Sequence, residues 1–133
     1  MHKNNVLHRD IKSNNILFSA DGEVKITDMG YACALSNKRK KRDTKLGTMH
    51  WVAPEIMQGL HYSIAVDIYS FGCFAYELAT GLPPFSNIQD SKTLRNSIIK
   101  VNVPEIPGNW SANFKSFVKM CLKKNPSERW TIN

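Results

Sequence analysis

Apolar residues form short pieces early in the chain and longer periodic runs later. Val6-Leu7 and Ile16-Leu17-Phe18 flank a polar bridge over residues 8–15. Ser19-Ala20-Asp21-Gly22 is a turn signal, and residues 24–27 then alternate apolar and polar, so the stretch reads as a β-hairpin. Over 28–55 the periodicity is lost and 38–45 is strongly polar. That reads as a long loop, and loops of such length inside compact domains are usually functional or disordered. Residues 65–80 are apolar on all faces, which predicts a buried helix stopped by Gly81 and Pro83-Pro84. Leu94, Ile98 and Val101 share one face of a shorter helix near 91–100. Phe114, Phe117, Val118, Cys121 and Leu122 follow i, i+3, i+4, i+7, i+8, which predicts an amphipathic helix over 111–122 with Ser111 as its N-cap. Asn125-Pro126 ends it, and Thr131-Ile132 reads as the approach to another helix.

The chain's 133 residues suit one domain, and 42% hydrophobic content suits a soluble globule with a buried core. Cys33, Cys73 and Cys121 are odd in number and widely spaced, which suggests neither a zinc site nor a disulfide framework and makes a reducing compartment the default. The opening MHKNNV lacks the apolar core of a signal peptide. The apolar run over 64–84 contains Asp67 and Glu77. A central Asp costs a spanning helix about 2.5–3.5 kcal/mol, so a buried core helix is expected and a membrane span is not.

Net charge is +7, and the segment NKRKKRDTK over 37–45 holds six of the eighteen basic residues against one acid. A solvated loop and a nuclear-import patch are both consistent with Lys38 to Arg42. No basic helix or aromatic interleaving points to nucleic acid. The compartment expected is cytoplasmic, with the nucleus as the alternative that the basic run raises.

The polar bridge gathers His8, Arg9, Asp10, Lys12 and Asn15. His8-Arg9-Asp10, Asn15, Asp28-Met29-Gly30, Ala53-Pro54-Glu55, Asp67-Ile68-Tyr69-Ser70-Phe71-Gly72 and Arg129 together resemble the signature motifs of eukaryotic protein kinases, in family order and across essentially the whole chain. The resemblance implies an α+β fold: a kinase C-terminal lobe, mostly helical with a small β-hairpin, incomplete in lacking the N-terminal lobe. It divides residues 1–133 into a catalytic loop (8–15), an activation segment (28–55), a central helix (65–80) and helices near 91–100 and 111–122.

It also implies chemistry. Phosphoryl transfer from ATP to a hydroxyl needs a positioned nucleophile and neutralised phosphate charge. Asp10 suits a proton acceptor and Lys12 a point charge at the transferring phosphate. Asn15 and Asp28 supply the neutral and anionic oxygens that Mg²⁺ prefers. Leu17, with Phe74 and Leu78, resembles the column that contacts adenine; plain core is the other reading of the three. Met29 replaces the family's usual Phe and is expected to fill a similar gap, keeping the apolar column around His8. Lys12 together with Thr48, in the loop that receives the residue after the acceptor, resembles the serine/threonine-specific members. Thr44 stands where the sterile-twenty and p21-activated kinases carry an activating phosphosite, modified by an upstream kinase or by the protein itself; Arg9 is its natural partner, and an ordinary exposed Thr is the other reading. Glu55 and Arg129 are expected to form a buried ion pair, and Asp67 to accept hydrogen bonds from the backbone of the bridge.

Protein substrates follow from the family. Residues 11–15 and the Thr44 spacing resemble the sterile-twenty group, whereas 67–72 resemble the tyrosine-kinase-like group. No glycine-rich loop, strand lysine or hinge is found in 1–133, and Met1 resembles an internal or misassigned start. The isolated chain is therefore expected to lack kinase activity and to expose apolar surface. A truncated or pseudokinase-like substrate-docking or regulatory module is the competing reading.

Overall fold

The computed structural model describes residues 1–34 and 46–132. Its strands are β1 (Val6–Leu7), β2 (Ile16–Phe18), β3 (Val24–Ile26) and β4 (Cys33–Ala34), and its helices α1 (Pro54–Met57), α2 (Ala65–Thr80), α3 (Ser91–Lys100) and α4 (Ala112–Cys121). Short 3₁₀ turns at His2–Asn4, Ser13–Asn15, Met29–Tyr31, Leu46–Trp51 and Pro126–Glu128 accompany them. The chain is thus helix-rich with two small antiparallel sheets.

β2 and β3 form the expected hairpin, with Ile16 opposite Ile26 and Phe18 opposite Val24. Gly22 closes its turn by donating to Ser19 O at 3.0 Å. The second sheet pairs β1 with β4, Leu7 opposite Cys33. β4 and the turn before it sit in the stretch that lacks periodicity, because two-residue strands are made by distant pairing rather than by a local pattern.

α2 is the centre of the molecule. Its residues from Val66 to Ser70 and from Gly72 to Ala75 are buried, as an all-apolar helix requires. Tyr69, Cys73 and Ala75 pack with Leu7, Val118 and Leu122 in the main core. Gly72 is where α4 crosses: a Cβ there would stand 2.7 Å from Cys121 Cβ. The helix ends at Gly81, whose φ of 83° is the left-handed conformation that closes many helices and whose N–H reaches Glu77 O at 2.8 Å.

Ser111 caps α4 by accepting from the Phe114 N–H at 3.2 Å. Asp90 caps α3 by accepting from the Thr93 N–H at 2.7 Å. Leu94 and Ile98 of α3 are buried with Met49, Met57 and Phe85. Val101 departs from expectation: the helix stops at Lys100, Val101 is extended, and its side chain is 50% exposed. Met29 departs too. It lies in a 3₁₀ turn and is 49% exposed rather than enclosed in a column.

No helix among the described residues is long and apolar enough to cross a membrane. Lys38 to Arg42 and Thr44 lie outside the described residues.

Candidate active site

The bridge between β1 and β2 is anchored from inside the core. Asp67, on the first turn of α2, is 1% exposed. Its Oδ2 accepts from the His8 N–H and its Oδ1 from the Arg9 N–H, both at 2.8 Å. His2 Nε2 donates to Oδ2 at 2.8 Å. A buried carboxylate left without donors would be costly, and three donors satisfy this one. They also hold Arg9 at φ 66°, a left-handed conformation unfavourable to a residue with a side chain.

That twist sets the direction of Asp10. The Asp10 N–H donates to His8 Nδ1 at 3.3 Å, so the imidazole carries its proton on Nε2, which donates to Thr27 O at 3.0 Å. The Asp10 carboxylate is buried, and its Oδ2 accepts from Lys12 Nζ at 3.0 Å and from Asn15 Nδ2 at 3.1 Å. Asn15 Nδ2 also donates to Asp10 O at 2.8 Å. Both amide hydrogens of Asn15 are thereby committed to Asp10, and its Oδ1 becomes the atom that could meet a cation.

Asp28 reaches this group through the backbone. The N–H of Thr27 donates to Asn15 O at 2.8 Å, and Thr27 O receives the His8 proton, so the residue that follows stands beside the bridge. Asp28 has φ 61°, its carboxylate is exposed, and Oδ1 accepts from the Gly30 N–H at 3.2 Å. The structure therefore gathers His8, Arg9, Asp10, Lys12, Asn15 and Asp67 by direct bonds and Asp28 through its neighbour.

Arg9 donates through Nε to Tyr31 O at 2.7 Å and through Nη1 to Tyr62 Oη at 3.3 Å. The backbone of Thr48 lies in the turn Leu46–Trp51. Of the apolar trio, Phe74 is buried with Ile11 and Ile16, while Leu17 and Leu78 are 53% and 60% exposed. Phe74 thus lies in the core, and Leu17 and Leu78 lie at the surface.

The second constellation is the Glu55–Arg129 pair. Nη1 and Nη2 donate to Oε1 and Oε2 at 2.7 and 2.8 Å in a bidentate fork, both residues being buried. The remaining donors reach Lys123 O, Ala65 O and Lys124 O at 2.7, 2.8 and 3.1 Å, which commits all five hydrogens of the guanidinium.

Three further residues contribute that periodicity does not reveal. His2 has no sequence signal of its own. Ser70 donates to Trp51 O at 2.7 Å. Glu77 accepts from Ser13 Oγ at 3.0 Å and from Trp51 Nε1 at 3.1 Å. A charge inside an otherwise apolar helix is the clue that could have singled out Glu77.

The donor set suits magnesium brought in on phosphates. One carboxylate (Asp28) and one amide oxygen (Asn15) are the few protein ligands such an ion takes, its other positions going to phosphate and water. No group of three or more His, Cys, Asp and Glu side chains among the described residues could cage a metal by itself.

The protein kinase domain family matches residues 1–133, the whole chain. The chain belongs to the protein kinase family. This kinase-family chain is 40% identical over 131 residues to serine/threonine-protein kinase KIC1 of Saccharomyces cerevisiae, covering 97% of itself and 12% of that protein. It is 41% identical to serine/threonine-protein kinase pakB of Dictyostelium discoideum, covering 97% of itself and 15% of the relative. With serine/threonine-protein kinase sid1 of Schizosaccharomyces pombe it shares 40% identity over 98% of its length and 28% of the relative's. The chain thus spans less than a third of the curated relatives it matches.

Proposed function

We propose that this chain is the C-terminal catalytic lobe of a serine/threonine protein kinase, passing the γ-phosphoryl group of ATP to a Ser or Thr hydroxyl of a protein. The observation that carries the reading is the clamp on Asp10. One carboxylate oxygen is held by Lys12 and Asn15, in a loop fixed from the core by Asp67. A carboxylate held on one oxygen is oriented on the other, as a proton acceptor must be.

In the proposed reaction the hydroxyl oxygen forms a bond to the γ-phosphorus while the bond to the leaving ADP oxygen breaks, and the hydroxyl proton passes to Asp10. Lys12, 3.0 Å from Asp10 Oδ2, offers its charge to both the carboxylate and the transferring phosphate. Asn15 Oδ1 and the Asp28 carboxylate would hold magnesium, which when bound neutralises developing phosphate charge. Leu17 and Leu78, exposed beside buried Phe74, offer the adenine an apolar surface.

The specificity for Ser and Thr rests on Lys12 and Thr48 and on the likeness to serine/threonine-protein kinases. Phosphorylation of Thr44, by an upstream kinase or by the protein itself, belongs to the same proposal. A phosphate there adds about −1.5 to −2 charge and orders a loop when Arg can pair with it, the role proposed for Arg9. The apolar hairpin and the end of α2 expose a surface that further protein would cover, and the 133 residues alone are proposed to be inactive.

Transfer of labelled phosphate from ATP to a generic Ser/Thr substrate tests the reading in the full-length protein containing this chain. Asp10→Asn is expected to lower the rate by about 10²-fold or more at unchanged ATP binding. Full activity in that variant would overturn the assignment. Measurable docking of substrate without transfer in the parent would favour the regulatory module instead.

A further inference from the structure

Lys115, Lys119 and Lys123 recur at every fourth position along and just beyond α4, so their side chains run down one side of it. Like charges at that spacing repel each other, so the stripe does not serve the helix. Across from it lies the extended segment 102–106, and between the two is a groove of about 570 Å³. Val118 and Leu122 of the α4 side and Ile106 of the facing segment form an apolar floor. Lys115, Lys119, Lys123 and Lys124 line the groove, against Glu105 as the one acid in its lining.

The existing bonds leave this charge largely uncompensated. Lys115 Nζ donates to Gly108 O at 2.9 Å, and a carbonyl satisfies a hydrogen but cancels no charge; Lys124 is the exception, its Nζ donating to Ile98 O at 2.7 Å and standing over the Tyr69 and Phe85 rings at 5.9 and 5.6 Å. Lys123 is 3.7 Å from Glu128 Oε2, a loose and partly exposed pair. Lys119 is exposed and bonds to no group among the described residues.

We propose that this groove docks an acidic segment of a partner protein, with carboxylates meeting the lysines and an apolar side chain on the floor. Concavity with an apolar base favours alternating acidic and apolar side chains. A lipid surface or a nucleic-acid duplex would instead meet a flat or convex basic face. The side chains of the groove take no part in the bonds that hold Asp10, so docking requires no phosphoryl transfer and extends beyond the kinase reading.

The test uses the full-length protein and fluorescence anisotropy. The probe is a labelled peptide of alternating glutamate and leucine, and its control carries glutamine in place of glutamate. The acidic peptide is expected to bind, and the glutamine control to bind at least about tenfold more weakly. Raising salt toward about 1 M, where charges are screened beyond roughly 3 Å, should weaken the acidic peptide. Lys119→Glu is expected to weaken binding about tenfold with unchanged circular dichroism. The milder combination Lys115→Gln, Lys119→Gln and Lys123→Gln reads the same effect if the reversal disturbs folding. Failure of the acidic peptide to bind, equal binding of the control, or insensitivity to the lysine variants would overturn the proposal. So would tighter binding to phosphatidylserine vesicles or duplex DNA than to the peptide. Because none of these readouts involves turnover, an inactive kinase and an empty groove remain distinguishable.

Discussion

Asp67 reaches 58 residues back along the chain to accept the N–H of Arg9 at 2.8 Å, where Arg9 holds φ 66°. The bond explains how a core helix imposes an unfavourable backbone twist on a surface loop. An asparagine at 67 keeps one acceptor but turns an NH₂ toward the other N–H. Each buried donor left unmade costs about 1–3 kcal/mol. Asp67→Asn is therefore expected to lower the urea midpoint, and in the full-length protein to reduce kcat more than the KM for ATP. Unchanged values of both would show that the twist at Arg9 needs no support from the core.

Arg129→Ala leaves Glu55 charged and buried and three backbone carbonyls without their donor. Removing one partner of a buried pair costs about 3–5 kcal/mol. The expected result is a large fall in Tm, with Arg129→Lys recovering only part of it because an ammonium cannot reproduce the bidentate fork. A Tm equal to the parent's would contradict the stabilising role of the pair.

Alkaline stability should pass through a maximum. Burial brings Lys124 from 10.5 down to about 8. Between those values the unfolded chain holds a proton that the folded chain has released, so stability rises with pH. Burial acts the other way on thiols: Cys121 is pushed from 9.0 up to about 11, and Cys73 further. Above 9.0 the unfolded state loses protons that the folded state keeps, and stability falls. Denaturation followed across this range should show a rise from about pH 8 toward 9 and a decline beyond it. Lys124→Met is expected to abolish the rise and leave the decline. A parent curve that falls steadily from pH 8 would refute this balance.

Gly72→Ala puts a methyl group 2.7 Å from Cys121 Cβ and 3.0 Å from Leu122 Cγ. Overpacking of this kind costs about 1–3 kcal/mol. Cys121→Ser should not rescue the variant, because the clash is with Cβ and not with sulfur. Thermal denaturation of the single and double variants checks both statements; rescue by serine would mean that α2 and α4 separate easily.

Much of this architecture is legible in the amino-acid order because the long elements carry their own signals. The apolar run over 65–80 and Gly81 mark α2 and its end, and Ser111 with the spacing from Phe114 to Leu122 marks α4. The residues of the polar bridge stand out by chemical type. What the order hides is made by distance. Cys33–Ala34 is a strand only because Val6–Leu7 lies beside it. Val101 keeps the helical spacing of Leu94 and Ile98, yet the backbone has already left the helix. Met29 carries an apolar side chain suited to a column, but its turn is at the surface. His2 finds Asp67 across 65 residues of chain, and no local pattern announces such a pairing.

Asp67, Ser70 and Glu77 lie within one arc of α2 and grip, in turn, the backbone of His8 and Arg9, the carbonyl of Trp51, and Ser13 with the Trp51 indole. Two segments remote from each other in sequence are thus referenced to a single rod. If α2 rolls slightly about its axis, both are carried in the same sense, so their mutual alignment is protected against small distortions that would spoil two independently mounted loops.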